Sequence, residues 1–134
     1  MAKKRRKQEF QGIGDAELRV LRVLWEEGEA TPSELREHLA TEEVEWAYTT
    51  VQTLLHRLLD KRYVERRKEG VASVYRAAIT RDELVAEHMG DLAERVGDGK
   101  ASSLVYSLVR GKHLSKREIT QLRNLLDETQ DGKG

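Results

Sequence analysis

The spacing of apolar residues changes twice along this chain, and that pattern limits its fold more than any other feature. From Ala16 to Arg62 apolar residues recur at helical intervals. From Tyr63 to Ile79 apolar and polar residues roughly alternate, and from Thr80 onward the helical interval returns. The first stretch divides into three helices. Leu18, Leu21, Val23, Leu24 and Trp25 predict one from Ala16 to Glu27, ended by Gly28. "TPSEL" predicts a second, from about Pro32 to Leu39, with Thr31 as N-cap, Pro32 in the first turn and Glu34 closing a capping box. The third spans 48–62. The alternating stretch holds two short runs, Val64–Lys68 and Val71–Ala77, parted by Glu69-Gly70, which predicts a hairpin.

"TRDE" and "SKRE" are further capping boxes, at Thr80/Glu83 and Ser115/Glu118. Behind the first, a helix from about Arg81 to Val96 carries Leu84, Val85, Met89, Leu92 and Val96. After the break "GDGK" a shorter helix holds Leu104, Val105, Leu108 and Val109, and the last holds Ile119, Leu122, Leu125 and Leu126. The fold class expected is mainly α with a small β-hairpin: a winged helix-turn-helix domain over 14–79, then a three-helix dimerisation tail over 80–128. A basic flexible arm at 1–13 and a disordered tail at 129–134 complete the expected division. Each tail helix offers only one apolar stripe, so burial against a second copy is expected. The residues expected at that interface are Leu84, Leu92, Val96, Leu104, Leu108, Ile119, Leu122, Leu125 and Leu126.

Charge sums to zero over the chain, but its distribution is uneven. Residues 15–45 carry three Lys/Arg against ten Asp/Glu, whereas 47–76 carry seven against three. Lys3 to Lys7 add an unbroken basic run, a candidate arm along or into a duplex groove, or simply a solubilising tail. A local basic surface is therefore compatible with overall neutrality. The helix over 48–62 lies in the positive part. Advancing about 100° per residue puts Val51, Leu54, Leu55 and Leu58 on one face. Thr49, Thr50, Gln52, Thr53, His56 and Arg57 fall on the other.

That polar face suits the major groove of double-stranded DNA. Threonine brings a hydroxyl and a methyl that matches the C5-methyl of thymine. Glutamine can pair with adenine, and arginine with guanine or a phosphate. The side chains are also short, so the helix axis can approach the base edges. In the hairpin, Arg66, Arg67, Lys68 and Arg76 are candidate phosphate ligands. Trp46 is expected to pack beside this helix, with a phosphate contact from its indole N–H as the alternative.

Three stretches carry a resemblance: "GDAELRVLRVLWEEGEATPSEL", "EWAYTTVQTLLHRLLDKRYVERRKEGVASVYR" and "SSLVYSLVRGKHLSKREITQLRNLLDE". Over about residues 13 to 128 the chain resembles the penicillinase-repressor family, also called BlaI/MecI/CopY. The resemblance implies a homodimer on a dyad operator with TACA/TGTA-type half-sites, blocking transcription. It further implies Thr49, Thr50 and Thr53 at bases, and Arg57 and the wing at bases or phosphates. Relatives that answer β-lactams are inactivated by proteolysis at an Asn-Phe bond in the first tail helix, and a membrane sensor-protease system is the partner this implies. The matching position here is Asp91-Leu92, acidic and aliphatic in place of amide and aromatic. Gly14 stands where the family usually has a capping Ser, a mild change.

Cysteine is absent, which excludes disulfides and thiolate metal or copper sites. His38, His56, His88 and His113 fall on four different segments without metal-ligand spacing. "GDGKA" lacks both the upstream Gly and the Ser/Thr of a phosphate loop. No enzyme, cofactor or metal is expected. No apolar run approaches the roughly 20 residues needed to span a bilayer, and no signal peptide is evident, so a cytoplasmic protein without membrane insertion is expected. The alternative function is a winged-helix protein-interaction module or a small-effector sensor without specific operator binding.

Overall fold

The computed structural model describes residues 10–133. The basic run Lys3–Lys7 lies outside the described residues. Eight elements follow in order: α1 (Asp15–Glu27), α2 (Pro32–Thr41), α3 (Tyr48–Asp60), β1 (Val64–Glu69), β2 (Ala72–Ala77), α4 (Arg81–Arg95), α5 (Ala101–Arg110) and α6 (Lys116–Lys133). The chain forms two compact units, one ending at His88 and the other starting at Met89. The division thus falls inside α4, rather than ahead of it at 79/80.

Local chemistry accounts for most helix ends. Thr31/Glu34, Thr80/Glu83 and Ser115/Glu118 all form reciprocal capping boxes, with donor–acceptor distances of 2.9–3.2 Å. Gly14 caps α1 without a side chain, and the Glu17 carboxylate reaches back to accept from its N–H at 3.0 Å. α3 ends in a Schellman turn. The Tyr63 N–H donates to the Leu58 carbonyl and the Arg62 N–H to that of Leu59, with Arg62 at φ 66°. α3 therefore stops at Asp60, two residues before the expected end.

In the first unit, α1, α2 and α3 pack around one core. Val20, Leu21, Leu35, Leu39, Val51, Leu55, Leu58 and Tyr63 are fully buried within it. β1 and β2 pair antiparallel, with Arg66 opposite Tyr75 and Arg67 opposite Val74. The turn is Gly70-Val71 rather than Glu69-Gly70, and Gly70 supplies the positive φ of 66°. On its other edge β2 exchanges two backbone hydrogen bonds, both 2.9 Å, between Tyr75 and Ala30 of the α1–α2 turn. Trp25 donates its indole N–H to the Ile79 carbonyl at 2.8 Å, and Trp46 packs partly buried against the core.

Two expectations are corrected in this unit. Leu84, assigned to a dimer interface, is 6% exposed and belongs to the first unit's own core. Leu84 lies in the first turn of α4, so the start of that apolar stripe is already taken up by the first unit's core. Residues 10–13 are not a free arm either. Tyr63 donates its hydroxyl to the Gln11 carbonyl at 2.7 Å, Lys61 donates to the Gly12 carbonyl at 2.8 Å, and the Phe10 ring meets His88 edge-on. Tyr63→Phe should cost about 1 kcal/mol, the usual net worth of one such bond. Thermal melts and faster amide exchange around Gln11 are the readouts, and an unchanged melt would deny the tether.

In the second unit only Ala93 is fully covered among the described residues. Leu104, Leu108, Ile119 and Leu122 are half-buried, while Leu92, Val96, Leu125 and Leu126 are exposed. α6 continues to Lys133, past the point where a disordered tail is expected. No helix among the described residues is long and apolar enough to cross a membrane.

Candidate nucleic-acid interface

The apolar half of α3 is fixed before its polar half meets anything. Val51, Leu54, Leu55 and Leu58 are buried against the other helices, which sets the helix's rotation about its axis. Thr49, Thr50, Thr53, His56 and Arg57 are consequently exposed together, and Gln52 is half-buried at the margin. The expected face is thus assembled on one rigid element, with side chains no longer than its single arginine.

The start of α3 has no side-chain cap at Ala47 and no acidic residue in its first turn. Its N–H end therefore keeps the partial positive charge that favours an anion. Beside it lies an open groove of about 410 Å³, lined by Arg36, Ala40, Glu45, Trp46 and Ala47. Exposed Arg36, on α2, is a further cation lining this groove, and it is not among the expected site residues. It sits one residue past Leu35, in a helix whose net charge is acidic, so nothing linear draws attention to it.

The wing divides its cations between two faces. Arg67 grips Glu29 through both terminal nitrogens, at 2.6 and 3.1 Å, and also reaches Glu69 at 3.0 Å. Arg76 pairs with Glu65 across the strands at 2.9 Å. Hydrogen bonding to Arg67 is the main reason the Glu29 carboxyl is held below its ordinary range, against a smaller upward push from burial. The same bonds from Glu29 and Glu69 raise the Arg67 guanidinium further above its already high value. Arg66 and Lys68 are exposed, and no ion pair engages either among the described residues. Arg67 is therefore already committed to protein partners, unlike the two cations it was grouped with. Strand alternation carries this distinction, because it places Arg67 on the opposite face from Arg66 and Lys68.

Asp91 and Leu92 sit within α4, and Asp91 accepts from Arg95 at 2.7 Å one turn on.

A family profile described as Penicillinase repressor matches residues 13–128. The penicillinase repressor of Bacillus licheniformis is 30% identical over 121 residues, covering 90% of this chain and 94% of the relative. The transcriptional regulator BlaI of Mycobacterium tuberculosis is 34% identical over 125 residues, covering 91% and 88%. Among solved structures, the monomeric form of Bacillus licheniformis BlaI in complex with the blaP half-operator is 33% identical. It covers 55% of this chain and 88% of its own, with a TM-score of 0.46. On the breadth of the profile match and of the two relatives, this chain belongs to the penicillinase repressor family.

Proposed function

We propose that the chain is a homodimeric repressor of transcription that reads a palindromic operator in double-stranded DNA. α3 of each protomer enters the major groove, and the wing lies along the flanking backbone. The observation that carries this reading is the exposed face of Thr49, Thr50, Thr53, His56 and Arg57, held on a helix whose reverse side is locked in the core. Gln52 borders that face. Arg66 and Lys68 serve as phosphate ligands, while Arg67 braces the wing from the other side.

The second unit joins two copies through Leu92, Val96, Leu104, Leu108, Ile119, Leu122, Leu125 and Leu126. Release of the operator is assigned to proteolysis at Asp91-Leu92 by a membrane sensor-protease system. That bond lies in a regular helix, so its turn must unwind before a protease can take it.

Fluorescence anisotropy with two duplexes at one stated salt concentration tests the reading. One duplex carries a TACA/TGTA dyad and the other the same bases scrambled. A preference for the dyad of at least about 10³-fold is expected. Thr50→Ala and Thr53→Ala should each lower that preference by about tenfold, with the melting temperature unchanged. Binding to neither duplex would defeat the proposal in favour of a protein-contact module or an effector sensor.

The wing supplies a separate test. Arg66→Ala and Lys68→Ala should each weaken binding to all sequences and reduce the slope of log affinity against log salt by about one. Arg67→Ala should leave that slope nearly intact, since no counterion of DNA is displaced by a guanidinium already held by Glu29 and Glu69. A full unit change for Arg67 would return it to the phosphate ligands.

A further inference from the structure

The ends of α1 and α2 bring together a set of side chains that the DNA-binding reading does not use. The His38 Nε2 lies 3.7 Å from the Glu26 carboxylate and 3.6 Å from that of Glu42, and its Nδ1 lies 3.5 Å from Glu27. One ligand atom each from Glu26, His38 and Glu42 falls within 4.8 Å of the other two. His38 and Glu42 are one helical turn apart on α2, and Glu26 comes from α1.

These gaps are wide for hydrogen bonds, which draw nitrogen and oxygen to about 2.9 Å. They are close to the spacing of ligands around a shared ion. Zinc bonds of about 2.0–2.1 Å set two ligands about 3.4 Å apart across a tetrahedral angle. Closing the difference takes only small rotations of Glu26 and Glu42, both of which are exposed. The helices themselves need not move, because Val23, Leu24, Leu35 and Leu39 anchor them in the core.

The electrostatic surroundings give a second, independent argument. Glu26 and Glu27 occupy the last turn of α1, which contains no basic residue, and Glu42 is the C-cap of α2. Acidic groups at a helix C-terminus oppose its macrodipole. Here two negative helix ends and three carboxylates converge around one imidazole. That concentration of negative charge is costly by itself and becomes favourable around a cation. A soft-to-borderline divalent metal suits the imidazole, whereas calcium and magnesium prefer oxygen alone.

We infer that Glu26, His38 and Glu42 form a binding site for a divalent transition-metal ion of the zinc class, clipping the end of α1 to α2. Glu27 stands on the other side of the imidazole, 3.5 Å from Nδ1. Solvent completes the coordination, since the site opens to the surface. No linear motif announces the site, because its ligands come from two helices and only one is a histidine.

Isothermal titration calorimetry on the full chain, dialysed first against a chelator, tests this with zinc chloride as the titrant. Saturation at one ion per chain in the micromolar range is expected, with a higher melting temperature when zinc is present. His38→Gln and Glu42→Gln should each raise the Kd at least tenfold while circular dichroism stays unchanged. His113→Gln, distant in sequence, should leave it unaltered. No saturable heat would overturn the inference and leave the cluster as carboxylates around an imidazole. Zinc binding that survives both His38→Gln and Glu42→Gln would overturn it equally, by placing the ion elsewhere. Tighter binding of calcium than of zinc would exclude the imidazole as a ligand and reject the site as drawn.

Discussion

Lys61→Met is expected to lower the stability of the first unit by about 3 kcal/mol, the low end for breaking a largely buried ion pair. Lys61 holds the Glu17 carboxylate at 2.6 Å and the Gly12 carbonyl at 2.8 Å, and the pair's side chains are only 18% and 7% exposed. Removing the ammonium leaves the Glu17 carboxylate, only 7% exposed, without its cation. Glu17→Gln in the same background should recover most of the loss, because a neutral amide leaves no uncompensated charge. Urea unfolding of the two single variants and the double variant measures this directly. Equal losses that simply add would contradict the pairing.

The same residue gives the pair a pH signature. Burial pushes the Glu17 carboxyl up, but the Lys61 hydrogen bond, the Gly14 N–H and the charges of Lys61 and Arg57 together outweigh it. The folded pKa therefore lies below the ordinary 4.5. A depressed carboxyl contributes stability that is fully present above the unfolded value and lost as pH falls through the folded one. The wild-type chain should accordingly lose this contribution only below about pH 4.5. Glu17→Gln should show a shallower decline over that window.

The second large effect is expected in the tail. Leu125→Asp with Leu126→Asp should convert the proposed dimer to a monomer and reduce operator affinity by about 10²–10⁴-fold, the advantage that linking two half-site readers confers. Both leucines are more than half exposed within one chain, at 57% and 58%, so the substitutions cost the isolated chain little. Inside an interface each would bury an unpaired carboxylate. Light scattering and anisotropy should therefore change together, while circular dichroism and the melting of the first unit hold. A dimer that persists with both substitutions would move the interface away from this part of α6.

The parts of the fold that could be read from the sequence were those decided within a few residues. Thr31, Thr80 and Ser115 each find their glutamate three positions on, so the helix starts follow from local pairing. The core side of α3 follows from periodicity alone. Leu84 shows where periodicity stops helping: a stripe reveals that a residue will be buried, not against which surface. Arg67 shows a similar limit for charge. Its neighbours in sequence suggest a basic patch, while its partner Glu29 comes from a turn far back in the chain. The anchoring of residues 10–13 was illegible for a different reason. Tyr63 and Lys61 bind backbone carbonyls there, and a carbonyl leaves no trace in residue identity.

The hairpin has one braced side and one free end. Tyr75 is tied to Ala30 on one edge and Arg67 to Glu29, whereas the tip residue Val71 is 99% exposed. Since the chain contains no cysteine, a single thiol introduced at Val71 would be its only labelling point. A fluorophore or spin label there would occupy open solvent and leave the braced strand undisturbed. The wing tip thus offers a native-like reporter position, able to register the arrival of a large partner without taking part in holding the fold together.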